Sequence, residues 1–245
     1  MKNKLTVSVI IRSIFFWTIM IGVIPPYFVV SMALFLIGTR NLSHRILITW
    51  GKLFAYLCKY ICLVDYKVVG YENIIDGPAL FASNHQSTWE TMAFNLLLPK
   101  HVYVLKRELI RIPIFGWALR TVSPIAIDRD AKGIAIQHIL KQSYKRIAAG
   151  FWIMVFPEGT RIAPKINSEY KSGVARMSLN LKLPVIPIAH NAGYVMPKSS
   201  FWIYPGLVTV RIGKAVYPNL EENHEQLILR IKSSILSEID KIESI

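Results

Sequence analysis

Acidic residues are missing from the first quarter of this chain. None of its 15 Asp and Glu precedes Asp65, whereas Lys2, Lys4, Arg12, Arg40, Arg45, Lys52 and Lys59 all do. Cysteine is almost as scarce. Cys58 and Cys62 stand four apart in an apolar stretch, which excludes a disulfide framework or a thiolate metal site and suits a reducing cytosol. They read as two small apolar residues on one helix face, with palmitoylation as the alternative. Neither Gly-x-Gly-x-x-Gly nor a Walker pattern occurs, which disfavours a nucleotide-binding enzyme. No Gly-x-Ser-x-Gly elbow is present. No His/Cys/carboxylate cluster has metal-ligand spacing, and no repeat or low-complexity linker interrupts the chain.

What remains is basic and apolar. The net charge is +14 over 245 residues, 53% of them apolar, and mean hydropathy is +0.37. That length suits one sizeable α/β domain. The positive charge concentrates where the chain is most apolar. This favours a membrane phospholipid surface over nucleic acid, for which basic and aromatic residues would line a polar face. The last 25 residues reverse the balance, with six acids against Arg230, Lys232 and Lys241.

From Ser13 to Thr39 no charge occurs. As one helix these 27 residues would run about 40 Å, enough to cross a hydrocarbon core of roughly 30 Å. Pro25-Pro26 at the midpoint removes two donors. Basic residues flank both ends, which the positive-inside rule reads as both ends cytoplasmic. The expectation is therefore a membrane-associated helical hairpin broken at the prolines, preferred over a kinked single span. Ser31-Met32-Ala33 looks like a signal-peptidase site, but the apolar run continues beyond it. From Asn41 to Val64, Arg45, Lys52 and Lys59 recur every seven residues. That spacing draws a basic stripe along an interfacial amphipathic helix, with a core helix bearing a solvated face as the alternative.

Beyond Asp65 short apolar runs alternate with helical patterns, which predicts an α/β fold: a single domain with a mixed or parallel sheet flanked by helices. Strands are expected at Tyr66–Val69, Ala79–Ala82, Val102–Leu105, Ile125–Ile127, Trp152–Phe156, Val185–Ala189 and Val208–Ile212. Helices are expected at Thr88–Leu98, Ile112–Thr121, Ala131–Ala149 (capped by Asp130) and Tyr170–Leu181. Leu227 to Ile245 reads as an amphipathic helix with Ile228, Ile231, Ile235, Ile239 and Ile242 on one face. The implied division is 1–64 (hairpin and amphipathic helix), 65–220 (catalytic domain) and 221–245 (terminal helix packed on the domain).

Two motifs carry chemistry. His85 precedes Glu90 by five positions, a general base with an orienting carboxylate. Six histidines and fifteen acids in 245 positions give about 0.4 such spacings by chance, so alone the pair reads equally as a polar loop. Its position after an apolar strand, where α/β folds gather ligand chemistry, strengthens the functional reading, although without further motifs a structural polar loop is still preferred. Phe156-Pro157-Glu158-Gly159-Thr160-Arg161 also closes a strand. A given hexapeptide arises by chance in a chain this long roughly once in a few hundred thousand.

With these residues the chain resembles the glycerolipid acyltransferase family, specifically bacterial 1-acylglycerol-3-phosphate acyltransferases, over about residues 65 to 215. His85 to Glu90 matches the family's His-x4-Asp, with Glu replacing Asp. Lys106-Arg107-Glu108-Leu109, Pro113, Gly116 and Ile127-Asp128-Arg129 match the second motif, Phe156 to Arg161 the third and Val185-Ile186-Pro187-Ile188 the fourth. The resemblance implies that His85 deprotonates the sn-2 hydroxyl of lysophosphatidic acid, which attacks an acyl-CoA or acyl-carrier-protein thioester to give phosphatidic acid. Glu90 would hold the imidazole tautomer. Arg161 and Lys106 would bind phosphate, and Glu158, Gly159 and Thr160 would belong to the same acceptor site. For Glu158 the options are orienting Arg161, accepting a glycerol hydroxyl or stabilising the turn. Pro113, Gly116 and Pro187 read as structural, and Arg129 as a phosphate ligand or a partner of Asp128 or Asp130. No cofactor beyond the acyl thioester is implied. The setting would be the cytoplasmic face of the inner membrane. The alternatives are acylation of another lyso-lipid, such as a lysophospholipid or a lyso-amino-acid lipid, or a non-catalytic membrane-surface binding protein.

Overall fold

The computed structural model describes residues 4–112, 115–128, 134–219 and 221–244. The elements run α1 (Val7–Leu36), α2 (Arg40–Tyr60), β1 (Val64–Val69), β2 (Leu80–Ser83), α3 (Trp89–Leu97), β3 (His101–Lys106), α4 (Arg107–Arg111), α5 (Phe115–Thr121), β4 (Ile125–Ile127), α6 (Ile134–Ala148), β5 (Trp152–Val155), α7 (Gly173–Leu181), β6 (Val185–His190), β7 (Gly206–Ile212) and α8 (His224–Glu243). The seven strands form one sheet in the order β1-β7-β6-β2-β5-β3-β4. Every neighbouring pair is parallel except β6 with β7.

Alternation along the central strands explains the layers, because successive side chains point to opposite faces. Phe81, Met154 and Ile186 face one core with Phe16 of α1, Phe54 and Cys58 of α2, and Trp89 and Phe94 of α3. Leu80, Ile153 and Val185 face the other, with Ile139 of α6, Val174 and Met177 of α7, and Leu227, Ile231 and Ile235 of α8. Both faces of the sheet are covered, which accounts for the near-continuous apolar strands.

The N-terminal expectation needs correction. The chain does not turn back at Pro25-Pro26; α1 is one 30-residue helix with both prolines inside it, and so about 45 Å long. Breaking the helix there would orphan up to four N–H and four C=O groups, more than the two donors the prolines remove, so continuation costs fewer hydrogen bonds. The reversal comes at Gly38, which has φ 81°, a left-handed conformation that glycine adopts at least cost. The aromatic pairs Tyr27–Trp50 (5.0 Å) and Phe16–Phe54 (5.7 Å) place α2 antiparallel to α1.

Half of α1 belongs to the domain. Val9, Ser13, Phe16 and Met20 are buried, while Ile11, Ile14, Phe15, Ile21, Val29 and Val30 are exposed. Ser13 Oγ accepts the Ile203 N–H at 2.9 Å, and Trp17 Nε1 donates to the Phe201 carbonyl at 2.8 Å. In α2 the buried side is Phe54, Leu57 and Cys58, so it is a core helix whose Arg45, Lys52 and Lys59 stripe faces outward. Burial pushes the Cys58 thiol well up and that of Cys62 to about 12. Both therefore behave as small apolar core residues.

Other boundaries moved for local reasons. The helix expected at Ile112–Thr121 is present as α5 (Phe115–Thr121), preceded by the unforeseen short α4 (Arg107–Arg111), and a Cβ on Gly116 would lie 2.2 Å from the Ile110 carbonyl oxygen. The terminal helix begins at His224 because Asn223 and Gln226 form a reciprocal capping box. Pro113, Arg129 and Asp130 lie outside the described residues.

Candidate active site

Strand register brings the two motifs to one edge of the sheet. Ala82 of β2 pairs Val155 of β5, and Tyr103 of β3 pairs Met154. The strands are parallel, so the chains leaving β2, β5 and β3 at His85, Phe156 and Lys106 emerge side by side. Such carboxyl ends are where open α/β sheets bind ligands.

His85 and Glu90 meet as their spacing suggested. His85 Nδ1 lies 2.8 Å from Glu90 Oε1. The same oxygen accepts the backbone N–H groups of Gln86 (2.9 Å) and Ser87 (2.8 Å). Glu90 sits in the first turn of α3, where a carboxylate is favoured, and it is fully buried. Burial opposes its ionisation, but the His190 and His85 imidazoles, the hydrogen bond from His85 and the Ser87 N–H together hold its pKa below the ordinary value. An ionised Glu90 takes the proton of Nδ1 as a hydrogen bond, which leaves Nε2 of His85 free to act as base. The His85 ring is stacked on Phe156 at 4.2 Å and 17°, and 18% of its side chain remains exposed.

Three further contacts join the motifs across about seventy residues of sequence. The His85 carbonyl accepts the Ile162 N–H at 2.7 Å. The His85 N–H lies near the Glu158 carboxylate and favours its charged form. Arg161 Nη1 donates to Thr88 Oγ1 at 3.1 Å. Gly159 has φ 69°, and its N–H closes the turn onto the Phe156 carbonyl at 3.0 Å. Thr160 is exposed beside it.

The hydrogen bond that Arg161 makes is to Thr88 and not to Glu158. Glu158 is 9% exposed, and its Oε2 has no hydrogen-bond partner among the described residues. Burial pushes its carboxyl up to about 8, helped by the nearby Glu90 charge and opposed by the His85 N–H and Lys232. At neutral pH it is therefore predominantly an uncharged acid, which removes the repulsion that a carboxylate would exert on a neighbouring anion. Lys106 is half exposed, with its Nζ 3.8 Å from Glu108 Oε2. Arg107 takes Asp128 at 3.3 Å, the partner considered for Arg129.

Sequence reasoning missed Asn84, Thr88 and His190. Asn84 and His190 are 106 residues apart, and each of Asn84's amide atoms bonds the His190 backbone, at 2.9 and 3.0 Å. A polar residue directly before the histidine was the available signal. Among the described residues no group of three or more His, Cys, Asp or Glu could hold a metal ion.

Fold and site define a class: a mixed α/β sheet carrying, at its carboxyl edge, a partly exposed histidine on a buried glutamate, with an arginine on the same loop's Thr88. The Acyltransferase family model matches residues 65–191, just over half of the chain. A 1-acyl-sn-glycerol-3-phosphate acyltransferase from Pseudomonas aeruginosa is 40% identical over 168 residues, covering 69% of this chain and 65% of that protein. The enzyme of that name from Salmonella typhimurium is 30% identical over 158 residues, covering 62% of each. The chain thus spans a little less than two thirds of the length of these curated relatives. In fold it resembles the crystal structure of the 1-acyl-sn-glycerophosphate acyltransferase from Thermotoga maritima, with a TM-score of 0.78, 20% identity and 96% of each chain covered. The chain belongs to the acyltransferase family.

Proposed function

We propose that this protein moves a fatty acyl group from a thioester, acyl-CoA or acyl-carrier protein, to the sn-2 hydroxyl of 1-acylglycerol 3-phosphate. The product is phosphatidic acid. The observation that carries this reading is the 2.8 Å contact of His85 Nδ1 with the buried Glu90, which prepares Nε2 to accept a proton. The hydroxyl gives its proton to Nε2 as its oxygen attacks the thioester carbonyl. The tetrahedral adduct then collapses, the C–S bond breaks, and the leaving thiolate takes the proton back from the imidazolium. Glu90 stabilises that imidazolium, as a buried carboxylate does in triad sites.

Arg161 and Lys106 are assigned to the acceptor phosphate, the first for its bidentate fork and the second as a mobile point charge. Thr88 holds the Arg161 guanidinium beside His85. Gly159 and Thr160 give the phosphate access to the turn, and Glu158 meets it uncharged. Residues 65–220 perform the reaction, and 221–245 buttress it. The exposed apolar side of α1 associates with the membrane from the cytoplasmic side, where the basic residues of 1–64 meet lipid phosphates.

Purified protein should be offered both donors, crossed with 1-acylglycerol 3-phosphate and with lysophospholipids whose phosphate is a diester. Turnover of the phosphomonoester with at least one donor is expected. Preferential acylation of a diester or amino-acid lyso-lipid would overturn the choice of acceptor, and no transfer from either donor would overturn the activity.

A further inference from the structure

His190 ends β6 and is fully buried, and nothing in the reaction just described uses it. Its ring is fixed on three sides. Nε2 lies 2.9 Å from the Asn84 carbonyl, Nδ1 accepts the Ala192 N–H at 3.2 Å, and Phe94 meets it edge-on at 5.7 Å. A nitrogen that accepts from a backbone N–H carries no proton, so the proton is on Nε2 and the ring is neutral. Burial favours that form, lowering the His190 pKa against the opposing influence of Glu90 and Asn84. The same Nε2 is 3.8 Å from Glu90 Oε1, the oxygen that holds His85.

We propose that His190 is a positioning residue for the His85–Glu90 pair, resting on the acyl-transfer reading above. It acts in two ways. Its side chain and backbone clasp Asn84, the residue that delivers His85 from β2, through three hydrogen bonds of 2.9 to 3.0 Å. Its Nε2–H, donated to the Asn84 carbonyl, also lies 3.8 Å from Glu90 Oε1 and so brings partial positive charge near that oxygen. Glu90 has one more rotatable bond than the aspartate of the family motif, and its Oε2 has no partner among the described residues. The backbone N–H groups of Gln86 and Ser87 hold the longer arm from its own loop, and His190, a hundred residues further along the sequence, adds a constraint from a second element on where Oε1 meets Nδ1.

The test compares His190→Phe, which keeps ring volume without nitrogen, with His190→Gln, whose amide places a donor near the Nε2 position. Three quantities are read on folded, full-length protein: kcat and KM for both substrates, the pH profile of kcat/KM, and the pH dependence of His85 modification by diethyl pyrocarbonate, located by peptide mass. His190→Phe should lower kcat by roughly 10- to 100-fold, the scale of a misplaced catalytic group. KM should stay within about twofold, because the substrate-binding residues are not moved. The pH profile of His85 modification should differ from that of wild type, and His190→Gln should recover most of kcat. If His190→Phe does not fold, His190→Asn, too short to reach Glu90, takes its place. A folded variant with unchanged kcat and unchanged His85 titration overturns the proposal. So does a variant whose only change is a lower melting temperature. The modification readout needs no turnover, so it separates failure of this inference from failure of the acyl-transfer reading.

Discussion

Glu90 reaches His85 with one methylene more than the family's aspartate, and the loop after β2 absorbs it. The carboxylate folds back under Gln86 and Ser87, so that one oxygen collects two backbone N–H donors and Nδ1. Two substitutions separate length from charge. Glu90→Asp keeps the charge and should retain measurable turnover, about tenfold down for a group drawn back from its partner. Glu90→Gln keeps the length but cannot stabilise an imidazolium, so kcat should fall by ~10²–10⁴-fold. Steady-state rates on folded variants decide, and Glu90→Gln matching wild type would remove the orienting role. Glu158 offers a test of a different kind. Its folded pKa of about 8 stands above the unfolded value of about 4.3, so the folded state holds a proton that the unfolded state releases between those pH values. Its contribution to stability therefore falls as pH rises from about 4.3 to 8, by up to about 1.4 kcal/mol per pH unit. Glu158→Gln keeps an acceptor oxygen near the His85 N–H. Its melting temperature should exceed that of wild type at pH 8 and converge with it near pH 4. A gap that does not change with pH would contradict the burial of an ionisable Glu158.

At the scale of elements, α1 is both a membrane candidate and part of the core. Among the described residues it is the one helix long and apolar enough to cross a bilayer, yet Phe16 is completely buried against Phe54. Phe16→Ala should therefore destabilise the whole domain by about 3–5 kcal/mol, seen as a lower melting temperature in detergent. An unchanged melting temperature would mean that α1 is anchored by lipid alone. The sequence showed the apolar run but not which residues within it turn toward the domain, because that stripe is set by the partner surfaces of α2 and the 201–203 segment. Pro25-Pro26 was a poor guide to the helix end for a related reason: α1 runs through both prolines, because the two lost donors cost less than the ends that a break would expose. Strands were the most legible elements. Ile125–Ile127 matches β4, and the apolar run at Val185 marks β6, buried along its whole length. The start of α8 was also readable, since Asn223 with Gln226 is a capping-box pattern, but the isoleucine periodicity drew the boundary at Leu227.

For the whole molecule, the division of charge and the convergence of motifs belong together. The basic stripe of α2 and the exposed apolar side of α1 lie N-terminal to the candidate active edge assembled from β2, β5 and β3. Local parts of that edge could be read from spacing, as with His85 and Glu90. Parts made by distant segments could not. Arg161 on Thr88 spans 73 residues and Asn84 on His190 spans 106, and only the parallel register of the strands brings them together. The central claim is that Nε2 of His85, prepared by Glu90, takes the proton from a lyso-lipid hydroxyl as it attacks the thioester. The most direct measurement is the rate of phosphatidic acid formation by His85→Ala, with folding verified by its melting temperature. The account expects a folded protein that still binds 1-acylglycerol 3-phosphate but turns over at least ~10²-fold more slowly; a folded His85→Ala protein working near the wild-type rate would contradict it.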